Sequence, residues 1–328
     1  MEQREFVRLG RSASVVGMGC WQLGADWGQV DEATAMAILH AAADAGVTFF
    51  DTADVYGDGR SEKFVGQFLR ARAGEDLFVA TKTGRRAMPP DDSAYTEANL
   101  RSWIGRSLDN LGVDRLDLVQ WHCPPQATLD RQDMYDMFDA FTDEGLIAGY
   151  GVSIETVQQA LDAIAHPQLK SVQIIANAFR LKPFEQVIPI AAAAGVGIIV
   201  RIPLASGLLA AKFTSASSFG ADDHRHYNRN GEVFDMGETF SGVPFDLGIN
   251  AAAELGALAP AGVTPAQAAI RWLIDQPGVT TVIPGATSVS QAQANAAVAR
   301  LAPTTAVYDA AVHSIYDKDI RHHVHDRW

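Results

Sequence analysis

The stretch 48-TFFDTADVYGDGRSE-62 decides the fold. A β-rich apolar run, Thr48, Phe49 and Phe50, stops abruptly at Asp51, and Tyr56 follows five residues later. Gly57 and Gly59 bracket Asp58, and Ser61 opens a helical pattern. In a parallel α/β protein the working groups sit where a strand ends and its loop begins. A strand that delivers a carboxylate and a loop that delivers a phenol fit that architecture. Taken alone, the segment reads equally well as a loop that happens to contain an acid and a tyrosine.

Outward from this stretch, strand and helix patterns alternate. Upstream, Asp31 to Ala45 reads as a helix capped by Asp31, with Met36, Ile38, Leu39 and Ala42 on its apolar face, closed by Gly46 before the strand Val47 to Asp51. Before it, Phe6 to Gly10 and Ser14 to Gly19, flanking Arg11-Ser12, predict a hairpin feeding the first strand. Downstream, Ser61 to Arg70 is helical and Leu77 to Thr81 is a strand ending at Lys82. Helix Thr96 to Leu111 precedes a strand, Leu116 to Trp121, that ends at His122. Helix Leu129 to Glu144 precedes Ile147 to Val152, a strand ending at Ser153, and helix Thr156 to Ala165 precedes strand Val172 to Ile175. Phe184 to Ala194 reads as a helix kinked at Pro189, and Gly197 to Arg201 as the seventh strand.

The 46 residues Ile202 to Leu247 are rich in Ser, Gly, Asp and His; a segment that long inside a compact domain implies a lid or binding strap. Helices Gly248 to Leu258 and Thr264 to Gln276, a last strand Val279 to Ile283, and helices Ser288 to Arg300 and Thr304 to Asp317 complete the chain. Eight strands alternating with helices predict parallel βαβ units closing as a (β/α)8 barrel in one domain, 1–328, with an N-terminal β-hairpin, a long loop after strand seven and additional C-terminal helices. Gly17-Met18-Gly19 fails to continue as G-x-G-x-x-G, so the dinucleotide fingerprint of an open sheet is missing.

Composition narrows the partners. The 328 residues are 48% hydrophobic and 20% charged, with a net charge of −13, which fits a folded enzyme and disfavours nucleic acid or an anionic membrane. The longest apolar run, Val187 to Val200, contains Pro189, Gly195 and Gly197 and falls short of the ~20 residues of a membrane span. The opening MEQREFVRLG lacks a basic-then-apolar signal pattern, and the two cysteines, Cys20 and Cys123, lack metal-ligand spacing, so a cytoplasmic protein with reduced thiols is expected.

In a barrel, strand-end side chains converge on one mouth. Asp51 with Tyr56, Lys82 and His122 belong to three successive strand ends. Singly, Lys82 could be an ordinary strand-end lysine and His122, before Pro124-Pro125, a turn histidine. Together they suit one chemistry. A phenol, with a pKa near ~10, is a reluctant acid at neutral pH. An adjacent ammonium favours the phenolate, and a carboxylate fixes that ammonium in place. A neutral histidine beside the reacting oxygen can orient a carbonyl. The set reads as a general-acid site for reducing C=O, and the hydride must come from a cofactor.

FDTADVYGDGRSE, VATKTG, SLDNLGVDRLDL and LDLVQWHCP, continued by YGVS, SVQ, PLASGLLAAKF and IPGATSVSQAQAN, resemble the aldo-keto reductase family in order over nearly the whole chain. The resemblance implies Tyr56 as proton donor, Lys82 as the group that lowers its pKa, Asp51 as the partner of Lys82 and His122 as the carbonyl-orienting residue. It places Gly19, Cys20, Trp21 and Asp51 near the nicotinamide, Ser153 and Gln173 on its carboxamide, and Leu204, Ser206, Gly207, Leu208 and Lys212 in the pyrophosphate strap. Ile154 stands where the family usually has Asn. Arg201 stands where many members stack an aromatic on the nicotinamide, and its charge should interact differently with the oxidised and reduced ring. Gly285, Ala286, Thr287, Ser288 and Gln291 stand where NADPH-preferring members place basic residues, while Asn295 matches an adenine contact. By family frequency the resemblance still puts NADP(H) slightly ahead of NAD(H), with Lys212, Arg225 or Arg229 available to compensate.

Substrate-facing positions are Trp21, Trp27, Tyr56 and His122; Trp121 reads equally as pocket wall or core. His224, His226, His322, His323 and His325 read as loop and tail residues rather than metal ligands, and Arg85-Arg86 as an exposed turn. The expected activity is reduction of an aldehyde or ketone, or the reverse oxidation of an alcohol, sugars included, with a small-molecule partner. The alternative is a cofactor-binding regulatory subunit of the channel β-subunit type. A barrel hydrolase or isomerase using Asp51 and His122 would leave Lys82 and Tyr56 without a role.

Overall fold

In the computed structural model, which describes residues 1–24 and 30–328, eight parallel strands form a barrel wrapped by helices. The strands are β3 (Met18–Gly19), β4 (Phe49–Asp51), β5 (Phe78–Thr83), β6 (Leu118–His122), β7 (Tyr150–Ser153), β8 (Ser171–Ile175), β9 (Gly197–Arg201) and β10 (Thr281–Val282), following the short hairpin strands β1 (Gln3–Phe6) and β2 (Arg11–Ser14). Neighbours pair in sequence order from β3 to β10. Bridges Val16 to Val282 and Gly19 to Gly285 bring the first and last strands together. There Gly17 N–H donates to Val282 O at 2.8 Å and Gly19 N–H to Pro284 O at 3.1 Å.

The period of two in the strands sorts side chains into two layers. On β6, Val119 and Trp121 point outward, and Trp121 packs its ring 4.7 Å from Tyr135 and 5.1 Å from Phe138 of helix Gln132–Asp143. Trp121 is thus core, not pocket wall. Leu118 faces inward and joins Phe6, Ala13, Phe49, Phe78, Ala80, Ile199 and Ile283 in a separate apolar cluster. The barrel interior is therefore apolar at its base and polar toward the strand carboxyl ends, where Asp51, Lys82, Gln120, His122, Ser153 and Gln173 are all buried.

The hairpin plugs the base. Phe6 lies 5.8 Å from Phe49 and 5.4 Å from Phe78, ring to ring. Gly197 leaves the room it needs, since a Cβ there would stand 2.1 Å from Phe6 Cδ1. Arg4 donates to the carbonyls of Ile274 and Val279, and Arg8 to those of His166, Leu169 and Ala194. These arginines satisfy carbonyls at the bottom rim. The hairpin sits earlier than the sequence pattern suggests: the turn is Val7–Leu9, closed by Gly10 at φ 66, rather than Arg11-Ser12. A left-handed residue suits Gly, and it sets the register Phe6 to Arg11.

Other boundaries shift for local reasons. The expected kinked helix 184–194 is two short ones, Lys182–Gln186 and Ile188–Ala193, parted at Val187 because Pro189 lacks the N–H that would continue the first. The expected Leu129–Glu144 helix divides into Gln126–Leu129 and Gln132–Asp143, and the terminal helix Ala306–Ile315 continues through a π turn, Tyr316–Ile320, into Arg321–Val324. The 202–247 segment holds several short helices, Ala205–Ala210, His224–Tyr227, Met236–Glu238 and Phe240–Gly242, and helix Phe245–Gly256 begins inside it. Phe213, Phe219, Phe240 and Phe245 cluster with ring separations from 4.9 to 6.4 Å and give this strap a core of its own. No helix among the described residues is long and apolar enough to cross a membrane.

Candidate active site

Asp51 ends β4, and the chain then turns through Gly57, Asp58 and Gly59, all at positive φ, into helix Arg60–Ala71. Eight non-glycine residues adopt positive φ among the described residues: Asp58, Cys123, Ile202, Ala205, Ser206, Ala211, Phe240 and Ser241. All lie in loops after β4, β6 and β9. Such costly backbone gathers at functional sites. The tyrosine loop is held from below. Ser61, where the sequence pattern opens the helix, accepts from the Thr52 hydroxyl at 2.9 Å and donates to Cys20 O at 2.8 Å, while Gly59 occupies the N-cap. Glu62, fully buried, accepts from Thr81 Oγ1 at 2.6 Å and Asn110 Nδ2 at 2.8 Å.

At the mouth, Lys82 Nζ donates to Asp51 Oδ1 at 2.5 Å, to Thr52 O at 2.9 Å and to Tyr56 Oη at 3.1 Å. The lysine is 1% exposed, so this ion pair is shielded from water. Asp51 Oδ2 accepts from Gln120 Nε2 at 3.0 Å and Gln173 Nε2 at 2.7 Å, completing its coordination. The Tyr56 and His122 rings stand perpendicular, 5.9 Å apart. Burial pulls the Lys82 ammonium down, but Asp51 and Tyr56 outweigh it and hold its pKa above the ordinary lysine value. Burial pushes the Tyr56 phenol up; Lys82 works in the opposite direction without reversing the sign. The resting phenol is therefore protonated, and the expected lowering by Lys82 is a partial offset rather than a net fall. Burial, then Arg85, Lys82 and Arg201, push His122 well below its usual range, so the imidazole is neutral.

The remaining predicted residues surround this centre. Cys20 N–H donates to Asp51 O at 2.8 Å, and the buried thiol is pushed up by burial. Trp21 stacks on Tyr56 at 6.0 Å and meets His224 at 5.0 Å and Phe234 at 6.0 Å. His224, expected in a solvated loop, is fully buried in this aromatic wall. Trp27 lies outside the described residues. Ser153 Oγ reaches Gln173 Oε1 at 3.4 Å. Ser206 Oγ accepts from Phe240 N–H and donates to Glu238 O, both at 3.1 Å, so it ties the strap to itself; Gly207 has φ 99, Leu208 is buried, and Lys212 is exposed. Leu204 precedes that turn at its N-cap. Gly285 faces Gln22, whose Oε1 is buried without a partner among the described residues. Thr287 donates to Gln291 Oε1 from both its N–H and hydroxyl, and Asn295 Nδ2 donates to Gly285 O at 3.1 Å.

A second charged group was not readable from the sequence. Arg85, expected in an exposed turn, pairs closely with Glu238 and lies 3.7 Å from Glu155, while Arg86 pairs with Asp58 at 2.6 Å. Arg201 pairs with Glu155 at 3.0 Å and donates to Ile154 O at 3.2 Å. The single His, Cys and carboxylate group close enough to suggest a metal among the described residues is Cys123, Glu155 and Glu238, and the two guanidinium groups already occupy its carboxylates. Buried His122 Nδ1 and Arg201 Nε have no protein partner among the described residues. These atoms, with Gln22 Oε1 beside Gly285, are buried polar groups for which a bound polar ligand would supply partners.

A barrel whose mouth joins a buried Asp–Lys pair to a tyrosine and a neutral histidine has the makings of an oxidoreductase acting on carbonyls. The chain belongs to the aldo/keto reductase family, whose model matches residues 15–315. It is 30% identical over 304 residues to the aldo-keto reductase YhdN of Bacillus subtilis, covering 90% of this chain and 87% of that one. It is 30% identical over 309 residues to a probable voltage-gated potassium channel subunit beta of Arabidopsis thaliana, covering 90% of each. The solved glycerol dehydrogenase of Gluconobacter oxydans superposes with a TM-score of 0.78 at 26% identity over 97% of this chain and 96% of its own. The family comprises NAD(P)H-dependent oxidoreductases of carbonyl compounds.

Proposed function

We propose that this protein reduces an aldehyde or ketone to an alcohol, or runs the reverse oxidation, with Tyr56 delivering the proton. The observation that carries the reading is Lys82 Nζ, buried and held simultaneously by Asp51 at 2.5 Å and Tyr56 Oη at 3.1 Å. A protonated phenol at rest can donate, and the phenolate formed as the proton leaves is stabilised by the ammonium beside it, so the help is concentrated in the transition state. Asp51, fixed by Gln120 and Gln173, keeps that ammonium charged and aimed. Neutral His122 hydrogen-bonds the carbonyl oxygen without competing as an acid. A bound nicotinamide supplies the hydride.

Gly19, Cys20, Trp21, Ser153, Gln173 and Arg201 would hold the nicotinamide end. Leu204, Ser206, Gly207, Leu208 and Lys212 would face the pyrophosphate, and Gly285, Thr287, Gln291 and Asn295 the adenosine. NADP(H) is put slightly ahead of NAD(H) on family frequency, although residues 285–295 carry no basic side chain. The aromatic wall of Trp21, His224 and Phe234 supports a substrate with an apolar or sugar-like face.

Fluorescence titration with NADPH and NADH, followed by cofactor oxidation over aldehydes, ketones and sugars, tests the reading. Tyr56→Phe should bind cofactor and lose nearly all reduction; retained turnover would reject Tyr56 as the acid. Gln291→Arg should shift preference toward NADPH. Tight binding without turnover on any carbonyl would favour the regulatory-subunit reading, which the similarity to plant channel β subunits supports.

A further inference from the structure

The carbonyl chemistry leaves the charged group above His122 unused. Arg201 ends β9 and is 8% exposed. The β8–β9 register pairs Gln173 with Ile199, so Arg201 stands one inward step closer to the mouth than Gln173. Its Nη2 is engaged by Glu155 Oε1 at 3.0 Å and Ile154 O at 3.2 Å, its Nη1 lies 3.8 Å from Glu238 Oε1, and its Nε is buried without a protein partner among the described residues. Glu155 is two residues beyond Ser153, and its carboxylate also accepts from Cys123 Sγ at 3.0 Å.

An oxidised nicotinamide ring carries a positive charge that the reduced ring lacks. A guanidinium in a shielded mouth would repel the first and not the second, and the repulsion is poorly screened there. Without a nearby anion this site would hold the oxidised nucleotide poorly. Glu238 is the weaker candidate for that anion, because Arg85 pairs with it closely while standing 3.7 Å from Glu155, and because it reaches Arg201 at the longer distance. Burial opposes ionisation of Glu155, but Arg201 and a hydrogen bond with Glu238 outweigh it.

We propose that Glu155 is a charge-compensating residue: paired with Arg201, it keeps the surroundings of the nicotinamide near neutral and holds the affinities for the oxidised and reduced nucleotide together. This rests on the nicotinamide-dependent reading above. Its signature is a ratio. Loosened packing would weaken both redox forms alike, because they share the adenosine, pyrophosphate and ribose contacts, whereas a change of charge moves one form against the other.

The test is calorimetric titration of wild type, Glu155→Gln, Arg201→Gln and the double variant with NADP+ and NADPH, repeated with NAD+ and NADH. Glu155→Gln should raise Kd(oxidised)/Kd(reduced) by about tenfold or more, equivalent to ~1.4 kcal/mol. Arg201→Gln should lower the ratio, and the double variant should return it toward wild type. If Glu155→Gln fails to fold, the Arg201→Gln ratio alone decides. Ratios within twofold of wild type, or single variants that move the ratio in the same direction, overturn the inference while leaving the nicotinamide reading standing. No binding of any nucleotide to wild type overturns that reading and the inference with it.

Discussion

Gly57 and Gly24 meet backbone to backbone. A Cβ on Gly57 would stand 2.5 Å from Gly24 O, and one on Gly24 would stand 2.5 Å from the Tyr56 carbonyl carbon. The contact seats the turn after Trp21 directly on the tyrosine loop, and Gly57 also holds φ 58, where side chains are strained. Gly57→Ala should therefore cost roughly 2 kcal/mol or more, combining backbone strain with a clash that only loop displacement can relieve. A shift of about 1 Å in Tyr56 would lower kcat by up to ~100-fold. Thermal unfolding and carbonyl reduction measured on the same sample check both effects; a variant with unchanged Tm and kcat would mean that the loops separate freely.

The Lys82–Asp51 pair separates stability from catalysis. Lys82→Met leaves Asp51 as an uncompensated buried charge, which should destabilise the fold by about 3–5 kcal/mol. Adding Asp51→Asn removes that charge while keeping an acceptor for Gln120 and Gln173, so the double variant should recover most of the loss. Reduction should stay down by ~10²–10⁴-fold in both, because neither restores the cation beside the phenol. Denaturant unfolding together with single-turnover reduction measures this; activity that returns with stability would make the pair purely structural.

The direction of the Tyr56 shift gives the pH profile its shape. Burial holds the phenol above its ordinary value, so the proton needed for reduction is present throughout the neutral range and is lost only as pH rises past the usual tyrosine titration. The rate of the reduction step should be flat from pH 6 to 9 with respect to this group. Alcohol oxidation, which needs the phenolate to accept a proton, should climb across the same interval. Single-turnover rates in both directions as a function of pH would expose the asymmetry; a reduction limb that falls near neutrality would assign the proton to another group.

Residues at strand ends were legible because a period-two pattern that stops in a charged or polar side chain marks where the barrel opens. Asp51, Lys82, His122 and Ser153 all stand out this way. Gln120 and Gln173 complete the Asp51 shell, yet each is an uncharged residue among apolar neighbours, with nothing local to say that both face one carboxylate. Arg85, Glu155, Arg201 and Glu238 come from four different loops and strand ends; barrel closure brings the first three together, and the pairs with Glu238 exist only once the strap folds over the mouth. His224 misled for the same reason: its four-residue helix looks polar until Trp21 and Phe234 close on it. Hairpin register depended on Gly10 taking the left-handed turn position, which Arg11-Ser12 obscured.

Asp54, two residues before Tyr56, is fully buried, and neither carboxyl oxygen has a hydrogen-bond partner among the described residues. Burial, reinforced by the neighbouring Glu62 carboxylate and only partly offset by Arg86 and Arg106, pushes its pKa up to about 7. An acid raised on folding favours the native state when it is protonated in both states. Its stabilising balance is intact below the unfolded value near ~4, is lost progressively as pH rises to about 7, and stays lost above that. A carboxyl titrating near 7 instead of near 4 withholds roughly 4 kcal/mol from the folded state at pH 8. Asp54→Asn removes the ionisation, so it should raise Tm clearly at pH 8 and little at pH 5, with the difference growing through the interval between. Parallel wild-type and variant curves of Tm against pH would mean that Asp54 is not the group whose ionisation strains the tyrosine loop.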